Sequence, residues 1–279
     1  MTPLQVGVCS WSINRHDVRA AIETAKRELG LSLVQAGFFG EGIPSEGEVP
    51  VLAEWIRGCG VEVSATCAGF VGEDYTSIAS IRATGGYGAD AFFDERFEAT
   101  CRMRDLTAAI GAKLFTVHVG HVPTDATDAK YKTLLDRVGR VADALGEKGV
   151  TLAMETGQES GETMAGFVAD LGRENAKISF DPGNLILYGS GDPVEAVSKL
   201  RGRVAHVHIK DATASSRPGV EWGTEVAAGS GEAEVPRVIS KLRAGGYVGA
   251  LIMERELGRA GSLNDLRETM EFLETMGLS

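Results

Sequence analysis

Cysteine is scarce and scattered. Cys9, Cys59, Cys67 and Cys101 are the only four, and no two form a CxxC pair. They read as reduced and mostly buried core residues. Long apolar runs are also missing: no stretch approaches the ~20 apolar residues that cross a bilayer. The opening MTPLQVGVCSW has neither the basic start nor the apolar run of a secretion signal. A cytoplasmic protein with no membrane partner is the expectation. Positive charge is in deficit, with 28 Lys and Arg against 39 Asp and Glu and a formal net charge of -11. Nucleic acid is therefore not the expected partner, because phosphate backbones are held by clustered Lys and Arg. A small polar substrate suits such a surface.

What is present is ordinary globular material arranged with a clear rhythm. At 279 residues the chain fits one large α/β domain, 1–279, with no interdomain linker, repeat or low-complexity tract. Eight short apolar runs recur along it: Leu4–Cys9, Ser32–Ala36, Glu62–Cys67, Lys113–His118, Thr151–Glu155, Lys177–Asp181, Val204–Ile209 and Ala250–Glu254. They are rich in Val, Ile, Leu and Phe, as strands buried on both faces should be. Helical periodicity fills the gaps. Val18, Ala21, Ile22, Ala25 and Leu29 form one stripe stopped by Gly30. Further helices are expected over Pro50–Cys59, Asp94–Ile110, Ala129–Glu147, Thr163–Glu174, Pro193–Leu200 and Pro236–Ala244. Ser262 with Asp265 resembles a capping box ahead of Leu266, Met270 and Leu273. Eight β–α units predict a single (β/α)8 barrel. The rival, an open doubly wound sheet, lacks the GxGxxG turn it would carry after its first strand.

Two connections exceed ordinary loop length. One runs from Ala68 to about Asp90; the other runs from Asp211 to about Gly231 and carries Arg217 and Trp222. Both follow a strand, so both belong on the C-terminal rim, where long loops serve as lids.

The chemistry lies in how the last four runs end. The fifth ends LAME with Glu155, the sixth ISFD with Asp181 and the eighth LIME with Glu254, while the seventh contains His206 and His208. A parallel barrel brings these ends to one face. Carboxylates crowded there repel one another unless a cation or protons intervene. A divalent ion held by Glu155, Asp181, His208 and Glu254 resolves the conflict. The oxygen-rich set suits Mn, Mg or Co, with Zn a further candidate. His206 shares side-chain parity with His208 but lies deeper.

The segments METGQE, SFDPGN, HVHIKDA and IMERE resemble the motifs of the xylose isomerase-like TIM-barrel superfamily, often called sugar phosphate isomerases/epimerases. The resemblance spans essentially the whole chain. It implies the same four ligands, Glu155, Asp181, His208 and Glu254, with Glu155 and Glu254 as the acid/base pair of the epimerase branch. It also implies a homodimer or homotetramer. Two departures are informative. The epimerase motif after the sixth strand, D-x-x-H, has Asn184 in place of its histidine, and an amide does not titrate. The second and third strands end without the histidines that endonuclease IV needs for three metals. The expected activity is a metal-dependent isomerase or epimerase of a sugar or polyol. A dehydratase or lyase on a keto-sugar or keto-inositol is the alternative, since the same deprotonated intermediate can expel a hydroxyl. A non-catalytic sugar-binding barrel has no use for two intact glutamates.

Substrate contacts are expected from Trp11, His118, Asn184, Lys210, Asp211, Arg217 and Trp222, with His121 and Glu159 as weaker candidates. The glycine-rich AAGSGEAEV could offer backbone N–H groups to a phosphate, but no P-loop or basic cluster accompanies it, so a phosphorylated substrate is not inferred.

Overall fold

All eight apolar runs become parallel strands that pair into a closed barrel in a computed structural model, which describes residues 4–257 and 259–278. In chain order the strands are β1 (Val6–Cys9), β2 (Leu33–Phe39), β3 (Glu62–Gly69), β4 (Leu114–Val117), β5 (Thr151–Glu155), β6 (Ala176–Phe180), β7 (Val204–Ile209), β8 (Asp211–Thr213), β9 (Thr224–Val226) and β10 (Leu251–Met253). The barrel uses β1 to β7 and β10, and pairing of β1 with both β2 and β10 closes it. The two remaining strands, β8 and β9, form an antiparallel hairpin on the rim. Closure leaves the barrel sheet itself without an edge strand.

The expected helices lie where the apolar periodicity predicts, with ends shifted by at most three residues. Asp17 caps Val18–Glu28 by accepting from the backbone N–H of Arg19 and Ala20, and Gly30 ends that turn with φ of 67°. Ser262 is a correction. The last helix, Arg259–Thr275, begins before it, so Ser262 is no cap. Its hydroxyl instead donates to the Arg255 carbonyl, and Asp265 accepts from Arg255 Nε at 2.7 Å. Among the described residues, no helix is long and apolar enough to cross a membrane.

The barrel interior is more polar than a purely structural core requires. Gln35, Thr66, Thr116, Ser179, His206 and His208 are all essentially inaccessible. Most of their polar atoms are paired, as is usual for buried polar groups: His206 lies between Ser179 Oγ at 3.2 Å and Ser64 Oγ at 3.3 Å. The pairing of β2 with β3 slips between Val34 and Gln35, and that of β6 with β7 slips between Ile178 and Ser179. Both irregularities adjoin an interior polar residue, consistent with the use of bulges to re-aim side chains.

Both long connections have internal structure. The first, after β3, carries the helix Ile78–Thr84, and the second is the β8–β9 hairpin. They meet above the barrel mouth, where Trp222 packs on Tyr188, Ile78 and Ile81.

Candidate metal centre and active-site cavity

Glu155 is the last residue of β5, Asp181 and Glu254 directly follow β6 and β10, and His208 lies one residue before the end of β7. Each is at most 6% exposed. One ligand atom from each of the four lies within 4.8 Å of all the others. His208 Nδ1 is 3.1 Å from Glu254 Oε2, 3.4 Å from Glu155 Oε1 and 3.5 Å from Asp181 Oδ2.

Two atoms in this group test the fit of a cation. Asp181 Oδ2 and His208 Nδ1 are both fully buried and lack a hydrogen-bond partner. An unpaired buried polar atom is costly and uncommon in a native fold. Two of them facing one point, together with two more carboxylates, form a donor set that a divalent ion satisfies.

Asp181 shows how the local sequence builds the centre. It is the N-cap of the short helix Pro182–Tyr188, and its Oδ1 accepts the Asn184 N–H at 3.0 Å. Pro182 at the first helical position needs no hydrogen-bond partner for its nitrogen. One oxygen of the carboxylate thus starts a helix while the other is aimed into the centre.

The electrostatics are those of a tightly packed charge cluster. Burial pushes the Asp181 carboxyl up to about 6, against the pull of Lys210. Burial also works to raise Glu155 and Glu254, but the cationic partners outweigh it. His118 and His208 hold Glu155 below the ordinary carboxylate range, and Lys210 and His208 hold Glu254 well below it. Burial pushes the Cys9 and Cys67 thiols up.

Above the centre opens a cavity of about 740 Å³. Trp11, His118, Asn184, Lys210 and Trp222 line it, together with Glu155 and Glu254. Trp11 does more than form an apolar wall, because its indole N–H donates to Glu254 Oε1 at 2.6 Å. The ring fits only because β2 has Gly37 beneath it, where a Cβ would collide with the indole. Asn184 Nδ2 donates to Glu155 Oε1 at 3.1 Å, and His118 Nε2 lies 3.6 Å from the same oxygen. Lys210 is 2% exposed and places its ammonium 3.3 Å from Glu254 Oε2 and 2.9 Å from Glu256 Oε2.

Other candidates lie elsewhere. The Asp211 carboxylate is spent on the backbone N–H groups of Ala212, Gly229, Gly231 and Ala233. It anchors the hairpin and has no free oxygen directed at the cavity. The same bonds take up the Gly229, Gly231 and Ala233 N–H groups, three of those that AAGSGEAEV could offer a phosphate. Arg217 pairs with Glu221 in solvent and does not line the cavity. Glu159 accepts the Val122 N–H at 2.9 Å, with His121 at 3.6 Å, and both also lie outside the lining.

Sequence reasoning missed several lining groups, notably Tyr188, Glu73, Glu225 and Glu256. It also missed Gln35, which contacts His208. A glutamine interrupting the otherwise apolar run SLVQA was the available signal.

The family model described as "Xylose isomerase-like TIM barrel" matches residues 24–276. The chain belongs to the xylose isomerase-like TIM barrel family. The crystal structure of a xylose isomerase domain protein from Planctomyces limnophilus superposes with a TM-score of 0.86 at 27% identity, covering 99% of this chain and 97% of that one. An L-ribulose 3-epimerase structure superposes with a TM-score of 0.71 at 17% identity, over 98% of this chain and 94% of that one, a likeness of fold alone. In sequence, an inosose dehydratase of Clostridium perfringens is 28% identical over 197 residues. That match takes in 59% of this chain and 64% of the dehydratase.

Proposed function

We propose that this family member is a divalent-cation-dependent isomerase or epimerase of a small sugar or polyol derivative that carries a carbonyl group. The observation that carries the reading is the convergence of Glu155, Asp181, His208 and Glu254, with Asp181 Oδ2 and His208 Nδ1 buried and unpartnered. Manganese, magnesium or cobalt matches the oxygen-rich donors. When bound, such a cation supplies Lewis-acid stabilisation of the negative charge that develops as a proton leaves the carbon beside a carbonyl.

The chain's own residues divide the remaining work. Glu155 and Glu254 are the two carboxylates that both line the cavity and belong to the centre. One takes the proton from the substrate carbon. The other returns a proton to the adjacent carbon in isomerisation, or to the opposite face in epimerisation. Asn184 and Trp11 each hold one oxygen of this pair, which fixes the carboxylate planes against the substrate. The aromatic rings over the mouth exclude bulk water from the deprotonated intermediate.

A dehydratase is the second reading, favoured by the inosose dehydratase match and by His118 and Lys210 on the cavity wall. Either is a proton donor suited to a departing hydroxyl. A panel of keto-sugars and keto-inositols, assayed in deuterium oxide with added Mn²⁺, Mg²⁺ or Co²⁺, separates the two. An isomerase or epimerase gives a product of substrate composition carrying one solvent deuteron. A dehydratase gives a product lighter by one water. Turnover unaffected by chelation of the cation would sink both.

A further inference from the structure

Gln35 lies in the barrel interior on β2, fully buried, and the proton transfers above assign it no task. Its Oε1 is 2.7 Å from His208 Nε2 and 3.5 Å from Cys9 Sγ, while its Nε2 donates to Thr116 Oγ1 at 2.7 Å. The Thr116 hydroxyl points in turn to the Thr66 carbonyl at 3.4 Å. An amide gripped at both ends has one consistent orientation, with its carbonyl toward the imidazole and its NH2 toward the threonine. His208 therefore presents an Nε2–H to Gln35 and turns Nδ1 toward Glu155, Asp181 and Glu254. Gln35 shares side-chain parity with Leu33, which clusters with Cys9, Cys67 and Ile252, so strand alternation aims it inward; the extra residue of the neighbouring slip, Ser64, lies on β3.

We propose that Gln35 is the positioning residue of the metal centre. It fixes the tautomer and ring plane of His208 so that the Nδ1 lone pair is offered to the cation. The partner is a neutral carbonyl, whereas many metal-bound histidines donate to a carboxylate, which makes the imidazole a more basic ligand. The amide leaves His208 a weaker donor and the cation a stronger Lewis acid. This inference rests on the metal-dependent reading above and adds to it the residue that sets cation affinity from across the barrel.

Calorimetric titration of Mn²⁺ into the protein tests it. Gln35→Leu is expected to weaken binding by about tenfold to a hundredfold, the usual cost of losing such an outer partner. Gln35→Glu keeps the acceptor and adds negative charge, so it should bind Mn²⁺ at least as tightly as the wild type. A residue that merely fills space would not rank the two variants this way. Nitrogen NMR of His208 in the Zn²⁺-loaded wild type gives a second readout, with a protonated Nε2 and a bare Nδ1 expected. It decides the matter if Gln35→Leu fails to fold. Equal Mn²⁺ affinity in wild type and Gln35→Leu, or a protonated Nδ1 in the loaded protein, overturns this assignment alone. A wild type that binds no divalent cation overturns the metal-dependent reading and this inference with it.

Discussion

Asp181 and Asp211 are buried to the same degree on the same rim of the barrel, Asp181 directly after β6 and Asp211 two residues after β7, at the start of β8. Their oxygens are used differently. Asp211 spends its carboxylate on four backbone N–H groups and staples the β8–β9 hairpin to the barrel. Asp181 spends one oxygen on a helix cap and leaves the other buried with no partner. Residue type and burial do not separate the anchor from the candidate ligand. The unused lone pair does, because a fold gains nothing from an unpaired buried oxygen unless something else binds there.

That contrast can be broken or sharpened by substitution. The largest effect is expected from Glu254→Gln, which leaves the barrel folded and lowers turnover by about 10²- to 10⁴-fold, the usual contribution of a positioned base. Steady-state kinetics on the substrate found in the keto-sugar panel would measure it, and near-normal turnover would remove Glu254 from the acid/base pair. Asp181→Asn comes next, with cation affinity lower by more than about a hundredfold, since even outer partners cost ten- to a hundredfold. Its pH dependence is also informative. The carboxyl that burial raises to about 6 must shed its proton to hold a cation. Wild-type affinity should therefore fall as the pH drops through about 6, and the asparagine variant should lack that component.

Asp211→Ala is expected to act on stability. Losing the common acceptor of four N–H groups should cost about 2–4 kcal/mol, read by denaturant unfolding, with faster proteolysis inside the β8–β9 hairpin. Unchanged protease resistance would mean that Asp211 is not the anchor. Smallest of all is Arg217→Ala. Its ion pair with Glu221 is solvent-exposed, so neither stability nor cation affinity should change measurably.

Most of the fold was legible in the sequence because strands buried on both faces are continuous apolar runs, and the eight runs match the eight barrel strands. The four candidate ligands were legible for a related reason: an acid or histidine at the end of such a run has no bland company to hide in. Shorter features were not. The Pro182–Tyr188 helix and the β8–β9 hairpin are set by caps and cross-loop contacts, which have little periodic signature. Arg217 and Asp211 read as substrate contacts because charge in a long rim loop resembles function, and only the fold reveals what each charge is spent on. Gln35 and Thr116 escaped notice because neutral side chains inside apolar runs announce nothing until their partners are known.

The short helix that Asp181 begins also carries Asn184, which steadies Glu155, and Tyr188, on which Trp222 rests. Floor and ceiling of the cavity therefore share a single foundation stone. The Asp181 carboxylate, the amide that holds Glu155 and the ring beneath Trp222 keep their mutual spacing through one short stretch of helical backbone.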